Sequence, residues 1–271
     1  MKKLVILFVS LFLMAGVTSN VLAVTVELPL AGVYIGEHFF ELEVTPVYPG
    51  QTKTQGLMKQ GEVQPIGYTI DSQTVGSEAI GGTVTVNGYG KIDPYIATGI
   101  TVTDFGAPSA FGFFFWIPIF LPPAPQYATT SSISGGLTDA LGDGLSLTPL
   151  MHMFIPDMNP MAIRTLNAGV SMIVPPPMGN MGVDVGMPFA AGPGAPGALY
   201  GYGPFQVNGV IGGPAWLWLG HEYAFSLSGN GDIASLTAYS AITGMVPEPG
   251  MLLLLGAGLV GLGVFRKRLV K

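Results

Sequence analysis

Apolar and small polar residues alternate one for one along much of this chain. Val24, Val26, Leu28 and Leu30 are interleaved with Thr25, Glu27 and Pro29, and Leu42 and Val44 with Glu41, Glu43 and Thr45. Val84 and Val86 alternate with Thr83 and Thr85, and Ile100 and Val102 with Thr101 and Thr103. A period of two puts one side of a strand on a core and the other in solvent. Forty Gly and 23 Pro argue against long helices, since both are poor helix formers. A charged content of 10% argues against a well-solvated helical surface. The expectation is a mainly β protein built as an antiparallel β-sandwich.

Turn signals punctuate the strands at Asn87-Gly88, Gly135-Gly136, Asp143-Gly144 and Asn230-Gly231. Phe111 to Ile117, FGFFFWI, breaks the alternation because it is apolar on both faces. Among strand signals it reads as a central strand between two layers rather than a surface patch. Pro156 to Pro214 has another texture, with Pro175-Pro176-Pro177, AAGPGAPGALYGYGPF and Gly212-Gly213-Pro214. It reads as long loop or extended polyproline-type chain, an insertion of about residues 151–214 within the sheet system. Trp216 to Leu219, Tyr223 to Ser228 and Ile233 to Ile242 resume the strand pattern.

The two ends differ from the middle. Lys2-Lys3 precede an apolar run from Leu4 to Val17, and Val21-Leu22-Ala23 offers small enough residues before a cleavage point. That layout predicts a signal peptide over 1–23, cut after Ala23 by signal peptidase, and export by the secretion machinery. At the other end Pro247-Glu248-Pro249 is followed by an apolar run from Met251 to Phe265 and by Arg266, Lys267 and Arg268. At about 1.5 Å per residue the run covers most of a bilayer core as a helix, placed at about 250–265. The basic cluster predicts a cytoplasmic end for this membrane-spanning tail. The two prolines hold Glu248 in extended backbone. A plain membrane anchor is the alternative.

Residues 24–245 would then be a β-rich passenger domain outside the cytoplasm. Between Val24 and Val246 there are four basic side chains against fifteen acidic ones, an excess of eleven negative charges. Nucleic acid is excluded as a partner, because phosphate binding needs a basic surface. With no Cys there are neither disulfides nor thiolate chemistry.

The tripartite tail resembles the PEP-CTERM sorting signal of Gram-negative bacteria, over residues 246–271. DPYIATGITVTDFG, FGFFF and SSISGGLTDALGDGLSLTP, between Asp93 and Pro149, resemble more weakly the β-rich passenger domains that accompany such tails. The resemblance implies that an exosortase reads Pro247, Glu248 and Pro249, cuts the chain and delivers the protein to the cell surface or extracellular space. It also implies a link with exopolysaccharide and biofilm or floc.

Chemistry is sparse in the passenger. Eight of the thirteen Met lie between Met151 and Met187, around His152. Thioethers and imidazole suit copper, but strand geometry turns His152 away from Met151 and Met153, and Met also fills irregular gaps. Thr138 to Gly144, TDALGDG, has the acidic and glycine flavour of a calcium loop but lacks the ligand midway and the distal Glu of an EF-hand. His38, His152 and His221 have no zinc spacing, and Glu37 and Glu222 beside two of them point to opposite strand faces. Trp116, Trp216 and Trp218 offer a sugar-stacking platform or ordinary buried aromatics. The expectation is a non-enzymatic exported protein with no catalytic residue, metal site or cofactor. The alternative is a secreted carbohydrate-binding module or hydrolase with the same tail.

Overall fold

The computed structural model describes residues 31–49, 65–119, 126–151, 162–169, 181–212 and 217–245. Both terminal segments, including Ala23, Pro247 to Pro249, the apolar run and Arg266 to Arg268, lie outside the described residues. Among the described residues no helix is long and apolar enough to cross a membrane.

Fifteen strands are described: β1 (Ala31–Ile35), β2 (His38–Glu41), β3 (Thr45–Val47), β4 (Gly67–Ser77), β5 (Gly82–Lys91), β6 (Tyr95–Asp104), β7 (Ser109–Pro118), β8 (Gln126–Asp139), β9 (Leu145–Pro149), β10 (Arg164–Gly169), β11 (Met181–Val185), β12 (Phe189–Ala191), β13 (Ala198–Gly212), β14 (Trp218–Leu227) and β15 (Asp232–Met245). They form two antiparallel sheets. The first runs β11-β10-β14-β7-β1-β2, with β9 beside the far end of β14 and β12 beside β9. The second runs β13-β8-β15-β6-β5-β4-β3. The inner faces share one hydrophobic core, in which Phe111, Phe113, Phe115 and Ile117 of β7 meet Val84 and Val86 of β5 and Ile96, Ile100 and Val102 of β6. The expected antiparallel sandwich is what these strands build.

FGFFFWI is the central strand its composition predicts. β7 lies between β14 and β1. Its odd-numbered residues enter the core, while Phe114 and Trp116 are buried on the opposite face with Trp218. β6 and β15 pair over ten residues in the alternation read from sequence.

Three expectations need correction. Asn87-Gly88 is no turn but lies inside β5, where Asn87 pairs Gly99 and Gly88 pairs Thr98. Gly88 takes an inward position, and an added Cβ would come within 3.3 Å of the Phe115 ring. Its small size serves packing between sheets. Gly135-Gly136 likewise lies inside β8, opposite a bulge in β13 between Tyr202 and Phe205. A Cβ at Gly135 would sit 2.1 Å from the Ser235 carbonyl oxygen. The stretch 151–214, read as loop, contains β10 to β13, and β13 is a fifteen-residue strand along the edge of the second sheet. Pro204 is accommodated there at the bulge, on an edge where a missing N–H breaks no central ladder.

Candidate functional site

The described part of the molecule places its polar chemistry in three locations. The first is inside the sandwich. Arg164 is fully buried, and its Nη1 donates to Ser240 Oγ at 2.8 Å while Nη2 donates to Ser131 Oγ. The two serine hydroxyls also bond one another at 2.8 Å. Burial pushes the guanidinium down to about 10. Beside it, Thr98 Oγ1 bridges His221 Nδ1 at 2.8 Å and Tyr223 Oη at 2.7 Å. Burial, and then the Arg164 charge, hold His221 well below the ordinary imidazole range. Burial raises the Tyr223 phenol to about 12. His221 is therefore neutral at pH 7, and it is closed off from solvent. This network ties the sheets together, since Thr98 belongs to one and His221 to the other.

The second location is the solvent face of the second sheet. Tyr89, Tyr95 and Tyr239 stand on adjacent strands β5, β6 and β15, with successive ring centroids 5.8 Å apart. Lys91 Nζ lies 5.5 Å from the centre of the Tyr95 ring, a cation–π contact. Further along the same face run hydroxyl pairs, Thr74 with Thr85 at 2.8 Å and Thr101 with Ser235 at 3.0 Å. The described tryptophans, read from sequence as a sugar-stacking platform or as ordinary buried aromatics, are not on this face. Trp116 and Trp218 are 4% and 8% exposed on the outer face of the first sheet. Trp216 lies outside the described residues. The tyrosines were missed because they are 6 and 144 positions apart, and only strand pairing brings them together.

The third location is one end of the second sheet, where Asp104, Asp232 and Asp139 end or begin β6, β15 and β8. All three face inward with no solvent exposure. Asp143, on the loop between β8 and β9, is exposed. Oxygen atoms of Asp139, Asp143 and Asp232 all lie within 4.8 Å of one another. Each carboxylate also staples a loop. Asp139 accepts from the Gly142 and Gly144 amides at 2.6 and 3.0 Å. Asp232 accepts from the Ala140 amide at 3.0 Å and from the Ser228 hydroxyl at 2.5 Å. Asp104 accepts from the Ser109 amide at 2.8 Å, and Asp143 from Asn230 Nδ2 at 2.6 Å. Burial raises the Asp104 and Asp232 carboxyls above the ordinary carboxylate range. The hairpin expected at Asp143-Gly144 is instead a passage between sheets, since β8 and β9 belong to different ones.

Of the other residues weighed from sequence, His38 is exposed at the start of β2 and His152 lies outside the described residues. Met151 and Met187 are exposed.

The last strand, β15, ends at Met245, and residues 246–268 match the family model described as the PEP-CTERM protein-sorting motif. The chain carries a PEP-CTERM sorting motif. The motif marks an exported protein with a membrane-anchored precursor and an exosortase as processing partner. The match covers Pro247, Glu248 and Pro249 and reaches Arg268. It identifies the tail and leaves the sandwich unassigned. No curated protein matches the chain significantly.

Proposed function

We propose that the protein is a non-enzymatic component of the cell surface or extracellular matrix, delivered by exosortase processing and associated with exopolysaccharide in biofilm or floc. The carrying observation is the PEP-CTERM motif at 246–268, which begins one residue after the last strand of the sandwich. Processing near that junction would release the second sheet with β15 intact, since β15 pairs β8 from Ile233 to Met245 and β6 from Asp232 to Ala241. In this reading residues 1–23 are a signal peptide cut after Ala23. Residues 24–245 are the passenger, and the segment at about 250–265 spans the inner membrane with Arg266, Lys267 and Arg268 on the cytoplasmic side.

The link with polysaccharide gains support from the Tyr89, Tyr95 and Tyr239 row. Aromatic faces and hydroxyl groups on an accessible sheet surface suit the apolar faces and hydroxyls of sugars. The same row favours a carbohydrate-binding module as the second reading. Retention of the processed protein by exopolysaccharide from the host, compared with the Tyr95→Ala/Tyr239→Ala variant, tests this. Equal retention, or none for either protein, would contradict a sugar-binding role for that face.

A further inference from the structure

The corner of the sandwich formed by Asp104, Asp139, Asp143 and Asp232 gathers four carboxylates with no compensating cation among the described residues. Of the two described Lys and Arg side chains, Lys91 lies over Tyr95 and Arg164 bonds Ser131 and Ser240. The charges that act on Asp232 are those of Asp139 and Asp143, and the charge that acts on Asp104 is that of Asp232. Buried carboxylates are costly unless they are paired, protonated or bound to a metal.

We propose that Asp139, Asp143 and Asp232 bind a calcium ion at the end of the sandwich, with Asp104 as the buried carboxylate behind them. Distance is the first support. Two oxygens on one calcium ion, each at about 2.4 Å, can be no more than about 4.8 Å apart. The three carboxylates offer oxygens within 4.8 Å of one another. Asp104 gives the second, independent support. Its Oδ1 is buried and accepts no hydrogen bond among the described residues. Asp104 is the Cα partner of Asp232, and both face inward. Directly paired residues carry their side chains side by side on one sheet face, with Cβ atoms about 5 Å apart. Asp104, with its orphaned oxygen, thus stands beside Asp232, one of the three.

The donor set selects the ion. Every candidate ligand is an oxygen, which suits hard cations and not copper or zinc. An ionised carboxylate has about four acceptor positions, so the loop amides bonded to Asp139 and Asp232 leave lone pairs for a cation. Asp143 is exposed, which gives the ion a path from solvent. The mixture of rigid strand ends and one loop ligand fits the flexible coordination of calcium better than the strict octahedron of magnesium. Three charged ligands, partly open to water, place the affinity with extracellular calcium modules, at about 10⁻⁴ to 10⁻³ M. That level of calcium is relevant outside the cell, so the physiological role rests on the exported location, whereas binding itself does not.

The sequence motif TDALGDG holds two of the ligands. The ligand missing midway is supplied from 89 residues downstream, by Asp232 next to the Asn230-Gly231 turn. Glycine is required at that turn, where Gly231 has φ +87° and Asn230 φ +58°.

The test uses the full-length chain in detergent, stripped with EDTA and titrated with calcium or magnesium chloride at constant ionic strength. Thermal unfolding and calorimetry are the readouts. We expect calcium to raise Tm saturably in the millimolar range, magnesium to raise it far less, and EDTA to reverse the change. Asp143→Asn removes one charged ligand at an exposed position, so it leaves the core intact and should weaken the calcium response. Asp232→Asn should abolish it while raising Tm in EDTA, because it relieves repulsion in the row. An equal response to both ions, an unaltered response in Asp143→Asn, or no response to calcium would overturn the proposal. In those cases the aspartates are loop staples only.

Discussion

Asp232 lies directly across the β6–β15 pair from Asp104, so that two fully buried acids share one face of the sheet. Both carboxyls have raised pKa values, for which burial is the main cause. A carboxyl that holds its proton more tightly when folded stabilises the fold below its unfolded pKa, and that contribution is lost as pH rises through the folded value. Without divalent ions, stability should therefore increase as pH is lowered from 7 toward the ordinary carboxylate range near about 4. The charged groups that act on Asp232 are Asp139 and Asp143. Urea midpoints across this range in EDTA should rise on acidification for the native chain and change less for Asp104→Asn. A midpoint that falls steadily from pH 7 downward would contradict the assignment.

Gly220 and Trp116 are Cα partners on β14 and β7. The indole covers the glycine so closely that an added Cβ would lie 2.4 Å from Trp116 Cδ2 and 2.6 Å from Cε3. Gly220→Ala should destabilise the protein by about 1–3 kcal/mol, as overpacking does in closed sites. Alanine is otherwise the better strand residue, so the sign of the effect is diagnostic. Chemical denaturation monitored by tryptophan fluorescence measures it.

Arg164 is held in the core by hydroxyls that also bond each other. Arg164→Met keeps apolar volume and leaves the Ser131–Ser240 bond in place. It should be near neutral or more stable, in line with replacement of other buried charges by packed apolar groups. Arg164→Ala should cost about 2–4 kcal/mol through the cavity it opens. Equal losses in both variants, read from urea midpoints, would show that the charge rather than the volume matters.

The tyrosine row gives a surface prediction. Tyr239 is 42% exposed and stacks only at an angle on Tyr95. Tyr239→Ala should leave the unfolding free energy within about 0.5 kcal/mol of native, the usual range for surface changes. Together with Tyr95→Ala it should weaken retention on host exopolysaccharide by about tenfold, the equivalent of about 1.4 kcal/mol of lost aromatic contact. Sedimentation with the polysaccharide measures both proteins side by side.

The sheets were largely legible in the sequence because alternation is a local signal. β5, β6, β8 and β15 follow it residue by residue, and FGFFFWI declared its two buried faces through composition alone. Glycine was the recurrent source of error. Gly88 and Gly135 have the same letters as a turn, but each sits in a strand, where the Ser235 carbonyl comes too close to Gly135 for a Cβ and the Phe115 ring packs tightly over Gly88. At Gly231 the same residue does serve a turn, through its positive φ. A single sequence does not separate these uses. β13 was hidden for a related reason, since its Gly and Pro lie on an edge that tolerates a bulge. The acidic corner was half legible. TDALGDG was visible as a local cluster, whereas Asp104 and Asp232 join it only through the β6–β15 and β8–β15 pairings.

Glu248 bears most directly on the account as a whole, because it lies within the PEP-CTERM motif between two prolines. The decisive measurement is the intact mass of the protein recovered from the surface and membrane fractions of the native host, for the native chain and for Glu248→Ala. The native protein should be recovered outside the inner membrane, without the segment that contains Arg266, Lys267 and Arg268. The variant should accumulate in the inner membrane with that segment attached. Equal processing and release of the two would contradict recognition of Pro247-Glu248-Pro249 by an exosortase and leave the tail as a membrane anchor.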